Sequence, residues 1–192
     1  MRIIAGKYKS RSLLAPKGDT TRPTSDRARE SLFNVLQNWI DFDGINVLDL
    51  FAGSGAFAFE ALSRGSNSVT LVEQNRKVIE TINANAKILE VGSDLQVIQK
   101  DVYVWLAQRA NPISPTSEYN LIFADPPYDD PRTLTDLPKT LFSGRLLTSD
   151  SIVIIEHRKG SQVGIPDNAL CIKELQAGEA MFTIMRSRGT DS

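Results

Sequence analysis

The chain has 192 residues, of which 41% are apolar and 23% are charged, and its formal net charge is −1 at pH 7. This length fits one α/β domain with a short appendage, and no apolar run approaches the ~20 residues that a membrane-spanning helix requires. The single cysteine excludes an internal disulfide and a zinc cluster, and without a recognisable secretory signal we expect a cytoplasmic protein with no metal.

Charge is distributed unevenly along the chain. Residues 1–29 hold eight basic and two acidic side chains, a net charge of +6, whereas the remaining residues carry −7. A basic segment attached to an acidic body is typical of a phosphate-binding arm, although basic terminal segments are often only solvated. The composition alone leaves these two interpretations even.

Residues 1–43 are predicted to form a basic hairpin and a helix. Apolar pieces at Arg2–Ala5 and Arg11–Ala15 flank a short polar turn, which is typical of a hairpin. Thr24 or Ser25 can cap the helix that follows. Its apolar residues recur at helical spacing, which predicts one packed face: Ala28, Leu32, Val35, Leu36, Trp39 and Ile40.

Residues 44–192 are predicted to form an α/β domain. Five apolar runs have strand length: Ile45–Leu50, Val69–Glu73, Leu95–Gln99, Asn120–Asp125 and Ser151–Glu156. Helical stretches near 55–64, 75–91, 101–110 and 131–143 lie between them, and Leu170–Leu175 with Met181–Arg186 predict a closing hairpin. The alternation indicates a doubly wound, mostly parallel sheet covered on both faces.

A glycine-rich loop ends the first predicted strand, with the residues Asp49, Leu50, Phe51, Ala52, Gly53, Ser54 and Gly55. The glycines permit a tight turn and allow a ligand to approach the backbone at a helix N-terminus. With Ala58, the spacing also fits a dinucleotide fingerprint, so the glycines alone do not separate NAD from S-adenosylmethionine. Asp49 favours S-adenosylmethionine, because a carboxylate repels a pyrophosphate and attracts an ammonium or sulfonium group.

Acidic residues also follow the next two strands. Glu73 closes the second strand, where its carboxylate suits two ribose hydroxyls, and Asp101 with Val102 follows the third, where they suit adenine. Each alone is weak evidence, because acidic residues at strand ends often cap the next helix. Together with Asp49 and Asp125 they predict a ligand site at the carboxyl edge of the sheet.

The fourth strand ends in Asp125, Pro126, Pro127 and Tyr128. An exocyclic amine on a nucleic-acid base is a poor nucleophile, because its lone pair is delocalised into the ring. The Asp125 side chain and the Pro126 carbonyl can accept its N–H groups, and Tyr128 offers a flat face for a base taken out of its stack. A Pro-Pro pair alone only terminates a strand. The tetrapeptide with the glycine loop predicts methyl transfer to a base amine.

Asp-Pro-Pro-Tyr is similar to the signature of methyltransferases that act on adenine N6, cytosine N4 or guanine N2. More narrowly, Arg2–Gly6, Arg11–Leu13, Pro16, Arg22–Asn34, Asp49–Gly55 and Glu60–Gly65 resemble the bacterial RsmD family. The resemblance implies a class I methyltransferase fold, with a seven-stranded sheet whose last strand is antiparallel. It further implies methylation of guanine N2 in small-subunit ribosomal RNA, either free or in an assembled ribonucleoprotein.

Under this interpretation, Arg11, Arg22 and Arg29 are the candidate RNA contacts. Arg22 or Arg29 could instead touch the carboxylate of the methyl donor or pack structurally. We interpret the lone His157 as solvated and Cys171 as a small buried side chain.

Three alternative functions compete with this hypothesis. A DNA or RNA adenine N6 methyltransferase would use the same tetrapeptide, but a DNA enzyme needs a target-recognition segment for which we find no room. A nucleotide-binding oxidoreductase is disfavoured by Asp49, and a non-catalytic RNA-binding module by the intact site. We expect no membrane association and no obligate protein partner.

Overall fold

A computed structural model describes residues 1–16, 25–109, 118–127 and 132–188, without the side chain of Arg132. The helices are α1 Asp26–Leu36, α2 Ala56–Ser63, α3 Arg76–Leu89, α4 Val102–Arg109 and α5 Arg132–Ser143. The strands are β1 Asn46–Leu50, β2 Ser68–Glu73, β3 Leu95–Gln99, β4 Tyr119–Ala124, β5 Leu147–Arg158, β6 Ala169–Ala177 and β7 Ala180–Ser187. None of the helices in these ranges is long and apolar enough to cross a membrane.

The strands form one seven-stranded sheet in the order β3-β2-β1-β4-β5-β7-β6. Strands β1 to β5 are parallel, whereas β7 runs antiparallel to both β5 and β6. This arrangement confirms the predicted mostly parallel sheet with an antiparallel last strand. The chain reverses its direction of progress between β1 and β4, which is the topological switch point where ligands of open α/β sheets bind.

Two hydrophobic cores lie on opposite faces of the sheet, because successive side chains of a strand point to opposite sides. One face packs against α1, α2, α3 and the N-terminal hairpin (residues 1–16). The other face packs against α4 and α5, through residues such as Trp105 and Leu141. Strands β1, β2, β4 and the centre of β5 are buried on both faces, which explains their nearly continuous apolar sequences.

The N-terminal hairpin is fastened to α2 by hydrogen bonds of its backbone. The Ser63 carbonyl accepts from the Lys7 N–H at 2.6 Å, and the buried Glu60 carboxylate accepts from the N–H groups of Ile4 and Ala5 at 2.8 and 3.1 Å. A Cβ added at Gly6 would overlap the Ser63 carbonyl, so the close approach requires glycine there. The hairpin therefore presents its cationic side chains from a fixed position on the domain.

Three interpretations of single residues were wrong. His157 is buried, with Nε2 2.9 Å from the Thr183 hydroxyl oxygen. Cys171 is exposed on the outer strand β6. Trp39 was predicted to lie on the packed face of the first helix, but it lies beyond the end of α1 and is 40% exposed.

Candidate active site

Four carboxylates lie near the carboxyl edge of the sheet, on or directly after neighbouring strands in the order β2-β1-β4-β5: Glu73, Asp49, Asp125 and Glu156. We call these four residues the acidic row. Two positions before each of them in the sequence is an apolar residue whose side chain belongs to the core that packs against α2. In the same order, these residues are Leu71, Val47, Phe123 and Ile154. Since residues two apart on a strand share a face, the acidic row faces the same side of the sheet as α2 and the N-terminal hairpin.

Asp49 is the most enclosed member that the sequence predicted, with a residue exposure of 1%. Its Oδ2 accepts a hydrogen bond from the Ala58 N–H at 3.2 Å, which fixes the carboxylate beside the first turn of α2. Burial raises the pKa of Asp49 well above its ordinary value, the Ala58 hydrogen bond opposes this, and the charges of Asp125 and Glu73 raise it further. A cation placed beside Asp49 would therefore relieve an electrostatic cost.

The predicted glycine loop has a backbone that a ligand can approach. Phe51, Gly53 and Gly55 have φ of 58°, 52° and 74°, so the loop turns through three left-handed residues. A Cβ added at Gly53 would come no nearer than 3.9 Å to another protein atom, the Phe51 carbonyl oxygen. The space in front of Gly53 is open, which fits a ligand lying against the main chain.

Glu73 connects β2 to this loop. Its Oε2 accepts from the Gly53 N–H at 3.1 Å and its Oε1 accepts from the Asn75 N–H at 2.8 Å. Each carboxylate oxygen can accept more than one hydrogen bond, so these contacts orient Glu73 without using up its capacity for ligand hydroxyls. The structure thus brings Glu73, Gly53 and Asp49 together, as the sequence predicted.

The other predicted donor-binding residues have distinct environments. Ala52 donates its N–H to the Val72 carbonyl at 3.2 Å, and Ser54 is buried, with its hydroxyl 3.5 Å from the Met1 sulfur. Asp101 caps α4 by accepting from the Val104 N–H at 2.9 Å, and Val102 is buried. Ser54 and Asp101 therefore have structural contacts of their own, and ligand binding by these residues stays a prediction.

The Asp125-Pro126-Pro127 turn lies directly against the glycine loop. The Asp125 N–H donates to the Leu50 carbonyl at 3.3 Å, which places Asp125 beside the end of β1. Asp125 is half-buried, Pro126 is buried and Pro127 is exposed. Burial raises the pKa of Asp125 well above its ordinary value, and the carboxylate of Glu156 raises it further. Tyr128 lies outside the described residues.

Glu156 was not among the predicted site residues. It is 3% exposed and follows Ile155, which pairs with Ala124 of β4, so it stands on the strand next to Asp125. The signal was available in the sequence, because Glu156 ends the fifth predicted strand as Glu73 and Asp125 end theirs.

The three predicted RNA-binding arginines have different outcomes. Arg11 is exposed on the N-terminal hairpin, and Arg22 lies outside the described residues. Arg29 is 1% exposed, and its guanidinium donates to the Arg2 carbonyl and to the Asp26 carboxylate at 3.0 Å. The prediction that Arg29 contacts RNA is corrected, because a buried guanidinium is not available to a phosphate at the surface.

Comparison with known proteins identifies the family of this chain. A family model described as "Conserved hypothetical protein 95" matches residues 1–186. "Ribosomal RNA small subunit methyltransferase D" of Escherichia coli (strain K12) is 32% identical over 185 residues, which cover 96% of this chain and 88% of that protein. The chain belongs to the RsmD family.

Two further proteins support membership in the RsmD family. "Putative rRNA methyltransferase YlbH" of Bacillus subtilis (strain 168) is 38% identical over 169 residues, which cover 87% of this chain and 86% of that protein. The solved structure of "Putative methyltransferase yhhF from Escherichia coli" superposes with a TM-score of 0.83 at 30% identity, covering 98% of each chain. Similarity therefore extends over the N-terminal hairpin as well as the sheet.

The buried carboxylate of Asp49 predicts a pH dependence of stability. Because its pKa is raised in the folded protein, the folded state binds the proton more tightly than the unfolded chain, and stability falls as the pH rises through the folded-state pKa. We expect the stability of Asp49→Asn to decrease less as the pH rises, because asparagine carries no titrating group. Its side-chain oxygen can still accept the hydrogen bond from the Ala58 N–H. Thermal unfolding of the ligand-free protein from about pH 4 to about pH 8 measures the effect.

The exposed Asp150 provides the control for this prediction. Asp150→Asn removes the same charge from the surface and should leave the pH dependence close to that of the wild type. Parallel pH profiles for the wild type and Asp49→Asn would contradict the electrostatic interpretation of Asp49.

Proposed function

We propose that this protein transfers a methyl group from S-adenosylmethionine to the exocyclic N2 amine of a guanine in small-subunit ribosomal RNA. The observation that carries the proposal is the hydrogen bond from the Asp125 N–H to the Leu50 carbonyl, at 3.3 Å. This hydrogen bond joins the Asp125-Pro126-Pro127 turn, which we propose binds the amine, to the glycine loop, which we propose binds the methyl donor. The names of the relatives support ribosomal RNA as the substrate, and the resemblance of the motifs supports guanine N2.

The methyl donor is S-adenosylmethionine, and the residues around the glycine loop fit it. Asp49 is positioned for a cationic group of the donor, and Glu73 for the ribose hydroxyls. The open space at Gly53 allows the donor to lie against the backbone, and Asp101 with Val102 would border the adenine. When bound, the donor supplies an activated methyl group on a positively charged sulfur, so no metal or covalent protein intermediate is required.

The contribution of the protein to catalysis is to orient the amine. The Asp125 carboxylate and the Pro126 carbonyl accept the two N–H groups of the amine, which favours a nitrogen whose lone pair points out of the ring. Methylation leaves the nitrogen with one proton to lose. Asp125 is placed to accept that proton, since its pKa is raised by burial and by Glu156. Tyr128 is proposed to stack on the base.

The N-terminal hairpin is proposed to bind RNA. It exposes four cationic side chains and contains no acidic residue: Arg2, Lys7, Lys9 and Arg11. The hairpin is fixed to α2, the helix that follows the glycine loop, so the cationic surface has a defined position relative to the donor. Arg22 is proposed to extend this surface.

Neutralising the hairpin should weaken RNA binding in a salt-dependent manner. Each phosphate contact contributes about one unit to the slope of log affinity against log salt. We therefore expect Lys7→Gln, Lys9→Gln and Arg11→Gln together to reduce the slope by up to about three units. Fluorescence anisotropy with a small-subunit RNA transcript at several salt concentrations provides the measurement.

A charge-matched control uses the exposed lysines Lys87, Lys139 and Lys173, which lie on α3, α5 and β6. The corresponding triple glutamine variant should keep a slope near that of the wild type. An equal reduction in both variants would show that net charge, and not the hairpin, governs binding.

The proposed function is tested by mapping methylation in ribosomal RNA. We expect small-subunit RNA from a strain lacking this gene to miss one N2-methylguanine, and purified protein with S-adenosylmethionine to restore it. Mass spectrometry of nuclease fragments identifies the base and the position. A missing N6-methyladenine, or an unchanged small-subunit RNA, would overturn the proposal.

A further inference from the structure

We propose that Glu156 is the specificity-determining residue of this site: it accepts a hydrogen bond from the ring N1–H of guanine, beside the amine that Asp125 holds. The inference rests on the proposed function and extends it, because it explains how the same Asp-Pro-Pro turn can select guanine over the other bases that carry an exocyclic amine.

The geometry places the two carboxylates side by side. Ala124 of β4 pairs with Ile155 of β5, so Asp125 and Glu156 each follow a residue of the same register pair. Both lie on the face of the sheet that carries the acidic row, and neighbouring strands are about 4.8 Å apart. Glu156 is 3% exposed while Asp125 is half-buried, so Glu156 is the more enclosed of the two residues. A base whose amine contacts Asp125 can lie in two orientations, with its Watson–Crick edge towards Glu156 or away from it.

Electrostatics agrees with this proximity. The charge of Glu156 raises the pKa of Asp125, second only to burial, and the charge of Asp125 contributes to the raised pKa of Asp49. The acidic row is therefore one continuous set of carboxylates, with the donor-binding members at one end and Glu156 at the other.

The chemistry of the bases makes a carboxylate at this position selective. In guanine, the amine lies between two ring nitrogens: N1, which carries a proton on the Watson–Crick edge, and N3, which carries a lone pair on the other side of the amine. In adenine and cytosine, the ring nitrogens beside the amine are N1 and N3, and each carries a lone pair. An ionised carboxylate only accepts hydrogen bonds, so it attracts the guanine edge and repels the other two. Enzymes that act on an extruded base commonly read this Watson–Crick edge.

The first experiment uses the wild-type protein. It requires that the target nucleotide has been mapped. Small-subunit RNA is then ligated from segments so that it carries either guanine or 2-aminopurine at that position. Each RNA is assembled into subunits that lack the methyl group. 2-Aminopurine keeps the N2 amine and lacks the N1 proton. We expect its initial methylation rate to be about 10²-fold lower, the scale of losing one base-specific hydrogen bond. Equal rates on the two substrates would overturn the inference.

The second experiment changes the protein. The side-chain amide of glutamine can donate an N–H to an unprotonated ring nitrogen. Glu156→Gln should therefore lower the methylation rate on guanine. It should also reduce the ratio of the rate on guanine to the rate on 2-aminopurine to within about tenfold. Glu174→Gln, an exposed carboxylate on β6, is the control and should keep the wild-type ratio. S-adenosylhomocysteine should stabilise both variants, because the donor-binding residues are unchanged. An active Glu156→Gln with the wild-type ratio would overturn the inference.

The two proposals fail in different ways. If the wild-type protein transfers no methyl group to the guanine substrate, the proposed function fails and the role of Glu156 fails with it. If it methylates guanine and 2-aminopurine equally, the proposed function stands and only the role of Glu156 is wrong.

Discussion

Asp125→Ala is expected to lower turnover by about 10²-fold or more at saturating donor, the usual scale for losing one group that stabilises a transition state. The residue directly follows β4, on the turn that its N–H fastens to the Leu50 carbonyl. Without it, one N–H of the amine would lose the acceptor proposed for it, and the departing proton would lose its proposed base. Single-turnover methylation of small subunits that lack the methyl group measures the effect.

The fold should tolerate this substitution. Burial and the charge of Glu156 raise the pKa of Asp125, so ionisation of this carboxyl is less favourable in the folded protein than in the unfolded chain. Alanine should therefore not lower the unfolding temperature at neutral pH. Stabilisation by S-adenosylhomocysteine should also persist, since Asp49 and Glu73 are unchanged. Asp150→Ala, at an exposed position of β5, should retain full turnover. Near-normal turnover of Asp125→Ala would remove this residue from the mechanism.

Gly53→Val should abolish donor binding. The glycine loop leaves open space beyond the position of a Cβ at Gly53, and a valine side chain would occupy the space proposed for the donor. For the wild type, S-adenosylhomocysteine at about 100 times its dissociation constant should add about 2.7 kcal/mol of stability. We expect the variant to gain almost none of it, as measured by thermal or chemical unfolding with and without the ligand.

Backbone strain is the competing explanation, because Gly53 has φ of 52° and a residue with a Cβ in this region costs about 1–2 kcal/mol. Gly44→Val is the matched control. Gly44 also has a left-handed φ, of 76°, with open space around its Cβ position, but it precedes β1 at the opposite edge of the sheet. Both variants should be destabilised, and only Gly44→Val should retain the stabilisation by the ligand. Stabilisation of wild-type protein by NAD and not by S-adenosylhomocysteine would contradict the assignment of the donor.

The sequence by itself determined the succession of strands and helices and the placement of Asp49, Glu73 and Asp125 at strand ends. These features depend on local properties: apolar runs, glycines at a turn, prolines that stop a strand, and Ser25, which caps α1 by accepting from the Ala28 N–H as predicted. The carboxyl ends of parallel strands meet at one edge of the sheet, so the sequence also predicted that these carboxylates would come together. The boundaries moved most at β5, predicted as Ser151–Glu156 and observed as Leu147–Arg158, because pairing with β4 and β7 extends it beyond its apolar centre.

Only the tertiary structure decided which polar residues are buried. Arg29 is enclosed because Glu60, 31 residues away, lies 3.9 Å from its Nε and because the N-terminal hairpin covers it. His157 is buried because β7 brings Thr183 against it. Glu156 joins Asp125 because β5 pairs with β4. In each case the partner is distant in sequence, and the charge of a side chain does not show whether a remote segment will desolvate it and supply its hydrogen bonds. For that reason the RNA-binding role of Arg29 was predicted wrongly and Glu156 was missed.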